Sequence, residues 1–295
     1  MILRGEVRAN EPLARHSSFR IGGPARFLVL PADDQDVARV QALVRAEGLP
    51  LYIIGLGTNI LFPDEGLPGI VLKLAGRLNR IAASGRLLHV GAGASLVAVA
   101  REAARRGLTG LEFAEGIPGT VGGAVYMNAG AFGGEMARVV KEVQVRTETG
   151  EARILSGAEM DFRYRFSRLQ RDEGWAVTAV VLELEEDDPA RIMSRMDTYR
   201  AKRQATQPKG YPNAGSIFKN PPGEAAGRLI ERVGAKGWRV GGAEVSTVHA
   251  NFIVNRGGAT ARDVLTLMDR LQRAVEEATG IRLEPEVRVL AAPPG

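Results

Sequence analysis

The sequence contains no cysteine and only three histidines among its 295 residues. Without cysteine the chain can form no disulfide, no thiol nucleophile and no thiolate-bound metal site. The histidines, His16, His89 and His249, stand far apart in the chain, which argues against a histidine-based metal site. We therefore expect chemistry that needs neither a metal nor a thiol.

Long apolar runs and aromatic side chains are also scarce. No run approaches the roughly 18 apolar residues of a membrane-spanning helix, so no membrane partner is expected. The first ten residues, MILRGEVRAN, lack the basic region followed by an apolar one that is typical of a secretory signal, which favours the cytoplasm. Aromatic residues make up 5%, and the net charge of +5 is spread along the chain. This pattern favours an anionic small molecule over a nucleic acid.

What the chain does have is ample material for a folded core. Apolar residues make up 45% and charged residues 25%, as in ordinary globular proteins. The chain is longer than most single domains, which favours two or more packed units. Periodicity predicts strands at 27–30, 51–54, 70–74, 87–90, 143–147, 152–155, 175–184 and 282–290. It predicts helices at 37–44, 96–103, 190–205, 224–233 and 260–275, the last with Thr260 and Asp263 in a capping-box pattern.

The most unusual segment is residues 115–135, EGIPGTVGGAVYMNAGAFGGE. It holds seven glycines among small and apolar residues rather than among the polar residues of a flexible linker. Glycine is needed where φ is positive or where nothing larger than hydrogen fits against the backbone. A large ligand on the main chain and a tight helix-strand crossing both create that need. On this segment alone the two explanations are equally supported.

Two other glycine-containing loops follow predicted strands. Gly55-Leu-Gly57-Thr58-Asn59 has Ile60 where a dinucleotide-binding fingerprint needs glycine, and it has no Gly-Lys pair for a P-loop. Gly91-Ala-Gly93-Ala-Ser95 fails the same two tests. Each loop alone could be an ordinary turn. Three such loops in one region favour a nucleotide-like cofactor bound by neither standard motif.

Three polar segments are candidates for chemistry. Ser216, in a loop rich in polar groups, could be a nucleophile, a proton donor or a helix cap, and no neighbouring histidine supports Ser-His hydrolysis. The segments FRYRFS (162–167) and LEPEVR (283–288) alternate charged and apolar residues. That alternation is typical of an edge strand with one solvated face.

An ordered set of motifs runs over nearly the whole chain. These are HSSFRIGGPA (16–25), GLGTNILFPDEG (55–66), EGIPGTVGGAVYMNAGAFG (115–133), YRFS (164–167), NAGSIFKNP (213–221), AGRLIERVGAKGWRVGGAEVSTVHANFIVN (226–255) and LEPEVR (283–288). The set closely resembles the UDP-N-acetylenolpyruvoylglucosamine reductases, the MurB enzymes of peptidoglycan precursor synthesis. The chain is similar to the shorter members, which lack an inserted loop with a tyrosine between the YR and NAGS motifs.

The resemblance implies a fold and a reaction. The fold would be α+β: a vanillyl-alcohol-oxidase-type (PCMH) FAD-binding portion of two subdomains, residues 1–78 and 79–188, and a substrate-binding domain, residues 189–295. NADPH would reduce FAD, and the enolpyruvyl ether of UDP-N-acetylglucosamine would then be reduced to UDP-N-acetylmuramate. The expected partners are this sugar nucleotide and NADPH, and the protein is expected to act as a monomer.

The resemblance also assigns residues. Arg165 would stabilise the enolate that follows hydride transfer, Ser216 would protonate the carbanion, and Glu286 would lie near the substrate carboxylate with a raised pKa. Tyr164, Lys219 and Asn220 would contact the substrate. The cofactor would be bound by Gly55, Gly57, Thr58, Asn59, Gly116, Gly119, Thr120, Gly122, Gly123 and Ala124.

Two other functions are compatible with parts of the sequence. One is a different FAD-dependent oxidase or dehydrogenase on the same flavin fold, which would not need the half of the chain between the NAGS and LEPEVR motifs. The other is a non-catalytic UDP-sugar-binding module, which would not copurify with flavin.

Overall fold

The structure, a computed structural model, describes residues 3–291. Its packing divides the chain into two compact units. Unit 1 comprises the described residues up to Ala9, together with Phe27–Leu56 and Gly69–Arg203. Unit 2 comprises Asn10–Arg26, Gly57–Pro68 and the described residues from Gln204 onward. Each unit is therefore assembled from segments that are distant in sequence.

The described residues contain six α-helices. They are α1 Asp34–Glu47, α2 Leu96–Arg105, α3 Val121–Tyr126, α4 Pro189–Thr206, α5 Ala226–Arg232 and α6 Ala261–Thr279. Five lie where periodicity predicts them, and α3 lies inside the glycine-rich segment. None of these helices is long and apolar enough to cross a membrane.

Local side chains set the helix ends. The side chain of Asp33 accepts a hydrogen bond from the N–H of Asp36 at the start of α1, and Gly48 ends that helix with φ +61°. At the start of α6 the side chains of Thr260 and Asp263 each accept from the other's main-chain N–H. The capping box that the sequence predicts is thereby confirmed.

Most of the predicted strands are present. In chain order the strands are β1 Glu6–Pro12, β2 Pro24–Leu30, β3 Leu51–Ile54, β4 Ile60–Leu61, β5 Leu67–Lys73, β6 Ile81–Ser84, β7 Leu87–Gly91, β8 Leu108–Thr109, β9 Gly130–Ala131, β10 Gly134–Glu135, β11 Val140–Arg146, β12 Ala152–Ser156, β13 Ala176–Glu183, β14 Glu185–Glu186, β15 Asn213–Ser216, β16 Arg239–Val240, β17 Ala243–Val245, β18 Phe252–Asn255 and β19 Arg288–Val289. The predicted hairpin of β11 and β12 is antiparallel, with Val143 opposite Leu155.

Unit 1 is built on two larger sheets, beside the two-stranded pairs β9–β10 and β8–β14. A five-stranded antiparallel sheet has the order β12-β11-β13-β7-β6. The unit 1 residues of β1, β2 and β5 form a second sheet with β3, in the order β1-β2-β5-β3, in which β3 and β5 are parallel. Alternate strand residues such as Val143, Val180 and Leu182 are fully buried. Each such side chain contributes about 1.5–3 kcal/mol to stability.

Unit 2 has its own core. Its antiparallel sheet has the order β15-β18-β17-β16, and β4 pairs in parallel with β19. One face of α6 is buried, through Val264, Leu267, Met268, Leu271 and Val275. The carboxylate of Asp64 accepts from the N–H groups of Ala261 and Arg262, at 2.7 and 3.1 Å. These two bonds tie the segment around β4 to the start of α6, where a negative charge is favourable.

Two strand predictions are wrong, one in extent and one in type. Of the predicted strand 282–290 only β19 forms, preceded by a single bridge between Phe218 and Pro285. Pro285 has no N–H, so a continuous ladder cannot run through it. The segment 162–167 is a tight turn rather than an edge strand, because Arg163 and Phe166 bond to each other.

Candidate active site

The glycine-rich segment, residues 115–135, lies in unit 1 and folds into a turn, α3 and the β9–β10 hairpin. Close packing explains part of its glycine content, since a β-carbon on Gly122 would lie 3.0 Å from that of Ala92. Backbone conformation explains another part, because Gly116 and Gly133 have φ of +76° and +82°. Of the two explanations that the sequence left open, tight packing is therefore partly right, and the ligand explanation stays a prediction.

Gly55, just after β3, lies directly against the residue that caps α3. A β-carbon on Gly55 would overlap Oγ1 of Thr120. The same Oγ1 accepts a hydrogen bond from the N–H of Gly123 at 3.2 Å. The structure thus brings together Gly55 and Thr120, two residues predicted to bind one cofactor.

The first N–H groups of α3 are used inside the protein. Val121 donates to the carbonyl of Ala94 at 2.9 Å, and Gly122 donates to that of Ala92 at 2.8 Å. These bonds tie the glycine-rich segment to the loop after β7, the other loop for which the sequence predicts cofactor binding. The N–H of Gly123 is likewise engaged, by Oγ1 of Thr120. A contact of Gly122 or Gly123 with a cofactor would therefore have to use atoms other than their N–H groups.

Glu115 begins the segment and is buried between two arginines. Its carboxylate accepts from Arg101 at 2.8 Å and from Arg200, on α4, at 2.9 Å. Burial opposes ionisation, but the hydrogen bonds and charges of the two arginines outweigh it and hold the pKa of Glu115 below its ordinary value. The next residue, Gly116, packs against the side chain of Arg203, where a β-carbon would lie 3.0 Å from Cδ. Charge pairing therefore holds α4 against the start of the segment.

Arg165 lies on a two-residue turn. Arg163 and Phe166 exchange main-chain hydrogen bonds of 3.1 and 3.0 Å around Tyr164 and Arg165. Arg165 has φ +55°, a left-handed conformation that residues other than glycine rarely adopt. Its Nη2 donates to the carbonyl of Gly130 at 3.3 Å, and its Cζ lies 5.0 Å from the ring centre of Tyr164. The turn therefore presents both side chains of the YR motif together.

In unit 2 the loop after Gly55 is held by main-chain and side-chain hydrogen bonds. The N–H of Ser18 donates to the carbonyl of Gly57 at 3.1 Å. Nδ2 of Asn59 donates to the carbonyl of Glu286 at 3.1 Å, and the carbonyl of Asn59 accepts from the N–H of Arg288 at 2.9 Å. The predicted phosphate loop is thereby joined to the segment that carries Glu286.

A bulge in β15 orients Ser216. Asn213 pairs with Val254 and Ser216 with Phe252, so β15 holds one residue more than β18 over the same length. Gly215 occupies the bulge with φ +78°, and its N–H donates to Oδ1 of Asn213 at 3.0 Å. A bulge redirects the side chain that follows it. The half-buried Ser216 is that side chain.

Glu286 lies beside the segment of Ser216. The carbonyl of Ile217 accepts from the N–H of Glu286 at 2.7 Å. Two residues on, the N–H of Lys219 donates to the carbonyl of Glu284 at 2.8 Å, and Nζ of Lys219 lies 3.3 Å from Oε2 of Glu284. Two residues predicted as catalytic are thus brought together although they are distant in sequence.

The predicted site residues fall in both units. Unit 1 holds Gly55, Gly116, Gly119, Thr120, Gly122, Gly123, Ala124, Tyr164 and Arg165. Unit 2 holds Gly57, Thr58, Asn59, Ser216, Lys219, Asn220 and Glu286. Oδ1 of Asn220 accepts from the N–H of Ala226 at the start of α5, at 3.0 Å, so its oxygen has a structural role. The contacts of all these residues with ligands stay predictions.

Three amide side chains that the sequence reading missed support these residues: Asn128, Gln170 and Asn251. Asn251 is buried, and its amide accepts from the N–H of Phe218 and donates to the carbonyl of Phe218, at 3.0 and 2.8 Å. The only sequence signal was an amide beside an apolar strand, which is too common to single out a residue.

Within residues 3–291 no group of His, Asp or Glu side chains is arranged to hold a metal ion.

The glycine turns fit a nucleotide cofactor through their backbone conformation. Gly57 and Gly116 have φ of +68° and +76°, and turns of this kind can direct main-chain N–H groups at phosphate oxygens. The family model described as FAD binding domain matches residues 25–156, which include both glycines and the whole glycine-rich segment. Fold and site together define an α+β flavoprotein with FAD as its cofactor, and the predicted fold class is confirmed.

Comparison with known proteins identifies the family. The model described as UDP-N-acetylenolpyruvoylglucosamine reductase, C-terminal domain, matches residues 207–290. The chain is 53% identical to UDP-N-acetylenolpyruvoylglucosamine reductase 2 of Symbiobacterium thermophilum, over 97% of this chain and 92% of that relative. It is 43% identical to the reductase of Bacillus subtilis, over 97% and 94% of the two chains. The chain belongs to the UDP-N-acetylenolpyruvoylglucosamine reductase family.

A solved structure agrees with this assignment. The crystal structure of UDP-N-acetylenolpyruvylglucosamine reductase (MurB) from Thermus caldophilus matches this fold with a TM-score of 0.84 at 40% sequence identity. The match covers 98% of this chain and 100% of that one. The resemblance stated from the motifs alone is therefore confirmed over nearly the full length.

Proposed function

We propose that the protein reduces the enolpyruvyl ether of UDP-N-acetylglucosamine to UDP-N-acetylmuramate, a peptidoglycan precursor, with NADPH as the reductant. Its relatives from Symbiobacterium thermophilum and Bacillus subtilis carry the name of this reductase. Within the structure, the bond from the N–H of Glu286 to the carbonyl of Ile217 supports the proposal most directly. It brings the main chain of Glu286 against that of Ile217, the residue after Ser216, as expected if both side chains act on one substrate.

The reaction adds a hydride and a proton across a carbon-carbon double bond. The loops that contain Gly55 and Gly116 would hold FAD, which, once reduced by NADPH, would supply the hydride for the terminal vinyl carbon. The electron pair of the double bond then moves to the neighbouring carbon and into its carboxylate. The proposed role of Ser216 is to donate the proton of its Oγ to that carbon, after which solvent returns a proton to the serine. A hydroxyl is a weak acid, so its position matters more than its acidity.

The developing negative charge needs a fixed partner. The guanidinium of Arg165 offers two parallel N–H donors to the substrate carboxylate, and its direction is set in advance by the bond to the carbonyl of Gly130. Glu286 can approach the same carboxylate without repulsion only if its own carboxyl group is protonated. Glu286 is therefore proposed to hold a hydrogen between the two groups.

The remaining assignments are proposals of the same kind. The cofactor would be held by the loops that contain Gly55 and Gly116, and the substrate by Tyr164, Lys219 and Asn220. Both the sugar nucleotide and NADPH carry phosphates, which suits the net charge of +5. We propose that the protein acts as a monomer in the cytoplasm and that its functional domains are residues 1–78, 79–188 and 189–295.

The direct test is anaerobic spectroscopy on the purified holoprotein. NADPH is expected to bleach the visible absorption of the flavin, and the enolpyruvyl sugar nucleotide is expected to restore it. UDP-N-acetylglucosamine without the enolpyruvyl group is the control and should leave the flavin reduced. Bleaching without recovery would favour a different FAD-dependent dehydrogenase, and purification without flavin would favour a binding module.

A further inference from the structure

The turn at residues 163–166 is strained at Arg165, the residue proposed to stabilise the enolate. Arg165 has φ +55°, and arginine gains nothing from a left-handed conformation, unlike glycine. Such a conformation persists where the surroundings hold it from several sides. The contacts of this turn therefore show what determines the direction of the Arg165 side chain.

Gln170 holds the carbonyl side of the turn. Its Nε2 donates to the carbonyl of Arg165 at 3.0 Å and to the carbonyl of Tyr126, at the end of α3, also at 3.0 Å. The neighbouring Ser167 donates from Oγ to the same Tyr126 carbonyl at 2.8 Å. A primary amide has two N–H bonds, and both are directed to protein carbonyls here. Gln170 thus fastens Arg165 to the glycine-rich segment.

The other sides of the turn are held as well. Nδ2 of the fully buried Asn128 donates to the carbonyl of Arg163 at 3.0 Å, and Oδ1 of Asn128 accepts from the N–H of Ala137 at 2.9 Å. The guanidinium of Arg165 reaches the carbonyl of Gly130. The backbone and the tip of Arg165 are therefore fixed to the same segment, residues 126–137.

We propose that Gln170 is a positioning residue for Arg165: by holding the carbonyl of Arg165 against the end of α3, it aims the guanidinium at the substrate carboxylate. This inference rests on the proposed function. Because its donors are engaged by protein carbonyls, Gln170 acts through Arg165 and touches no reacting atom. Its loss should slow the step that needs Arg165 and leave the reduction of the flavin by NADPH unchanged.

Unit 1 contains a matched control. Nε2 of Gln41 also donates to two carbonyls, those of Arg146 at 3.1 Å and Gly174 at 2.7 Å. These bonds involve neither Arg165 nor the glycine-rich segment. Gln41→Leu removes the same kind of anchor as Gln170→Leu, so it reports the general cost of losing such an anchor in this unit.

The experiment measures the two half-reactions of each holoprotein by stopped flow. Gln170→Leu is expected to reduce with NADPH at the wild-type rate and to be reoxidised by the enolpyruvyl substrate about 10- to 100-fold more slowly, as for a catalytic group displaced by about 1 Å. Gln41→Leu should be reoxidised like wild type. In an Arg165→Lys background, Gln170→Leu should cause no further slowing, because its effect passes through the guanidinium.

A second variant, Gln170→Glu, tests the same proposal if Gln170→Leu does not fold. Gln170→Glu keeps the shape but turns a carboxylate toward two carbonyls, and it regains one donor when protonated. Its reoxidation should therefore recover as pH falls through the pKa of the new carboxyl group, relative to wild type at the same pH. If the ratio of the variant to the wild-type reoxidation rate does not change with pH, the proposal is overturned.

Three further outcomes would count against it. The first is reoxidation of Gln170→Leu at the wild-type rate. The second is that Gln170→Leu slows reoxidation as much in the Arg165→Lys background as in the wild type, and the third is that Gln41→Leu slows reoxidation as much as Gln170→Leu does. Each would overturn the positioning role of Gln170 and leave the proposed function standing. If the wild-type flavin itself is not reoxidised by the enolpyruvyl substrate, both the proposed function and this inference fail.

Discussion

The N–H of Glu286 donates to the carbonyl of Ile217 across 2.7 Å, and the N–H of Val287 approaches the same oxygen at 3.3 Å. Because Ile217 directly follows Ser216, this contact brings together the two segments that carry the proposed proton donor and the proposed carboxyl group. The contact between Glu286 and Ile217 involves no side-chain atom. It is made by main-chain atoms and should survive substitution of either side chain, so each role can be tested separately.

Ser216→Ala should separate the two half-reactions. Loss of Oγ removes the proposed proton donor but none of the cofactor loops, so NADPH should still bleach the flavin near the wild-type rate. Reoxidation by the enolpyruvyl substrate is expected to slow by about 10²- to 10⁴-fold, the usual range for a lost acid-base group. Stopped-flow absorption measures both steps. Equal slowing of the two steps would contradict the assignment.

Glu286→Gln should be tolerated better than Glu286→Leu. If the carboxyl group works in its protonated form, a neutral amide of the same shape can still donate one hydrogen bond to the substrate carboxylate. We expect kcat/KM to fall about 10-fold with Gln and about 10³-fold with Leu, on the scale of a charge-assisted bond lost in a buried site. Steady-state kinetics at pH 7 decides this. A Gln variant as slow as the Leu variant would show that the ionised carboxylate is required.

Asn251→Ala should destabilise unit 2. The substitution leaves the N–H and the carbonyl of buried Phe218 without their amide partner. Since an unsatisfied buried group costs about 1–3 kcal/mol, the free energy of unfolding should fall by about 2–4 kcal/mol. Urea denaturation measures it. Asn79→Ala, which removes an exposed amide that donates to the carbonyl of Gly76 at 3.4 Å, should change the free energy of unfolding by less than about 0.5 kcal/mol.

Glu115→Gln should weaken FAD binding. The buried carboxylate holds Arg101 and Arg200, and an amide would turn an N–H group toward one of them. We expect the Kd for FAD to rise by about 10-fold or more, which corresponds to about 1.4 kcal/mol. Titration of the apoprotein with FAD, followed by flavin fluorescence, measures it. Glu102→Gln, at a carboxylate paired with Arg106 on the surface of α2, should leave the Kd unchanged.

Asp36 should contribute stability that is lost in acid. Burial opposes its ionisation, but hydrogen bonds from the N–H groups of Ala32, Arg4 and Gly5 and from Arg39 lower its pKa from 3.8 to about 2. A carboxyl group with a lowered folded-state pKa stabilises the fold above about pH 4 and loses that contribution as pH falls through 2.

The size and the test of this effect follow from the same shift. The contribution is about 2 kcal/mol at neutral pH. Asp36→Asn should therefore unfold more easily than wild type at pH 7, and the difference should shrink toward pH 2. Denaturant titrations across that range measure it. A difference that stays constant with pH would mean that Asp36 stabilises the fold by packing and not through its charge.

Local features were predictable from the amino-acid order. The capping box of Thr260 and Asp263 and the glycine that ends α1 act within a few residues, so the pattern contains all the partners involved. The family also followed from its motifs, because an ordered set of seven over nearly the whole chain is highly specific. The reasons for individual glycines did not follow, since a β-carbon on Gly55 meets Thr120, which is 65 positions away in sequence.

The errors have the same origin. The alternation in 162–167 and 282–290 is the alternation of a strand, yet Pro285 cannot continue a ladder, and Asn128 and Gln170 draw 163–166 into a turn. Gln170 lies in none of the sequence motifs, and its role becomes visible only from its hydrogen bonds to the carbonyls of Tyr126 and Arg165. Helix caps and apolar periodicity could thus be predicted from the chain alone because their physical causes are local, and the family could be predicted because its motifs occur in order along the chain. The approach of Glu286 to Ile217 and the anchoring of Arg165 were decided by folding, because their partners lie far apart until the cores of the two units have formed.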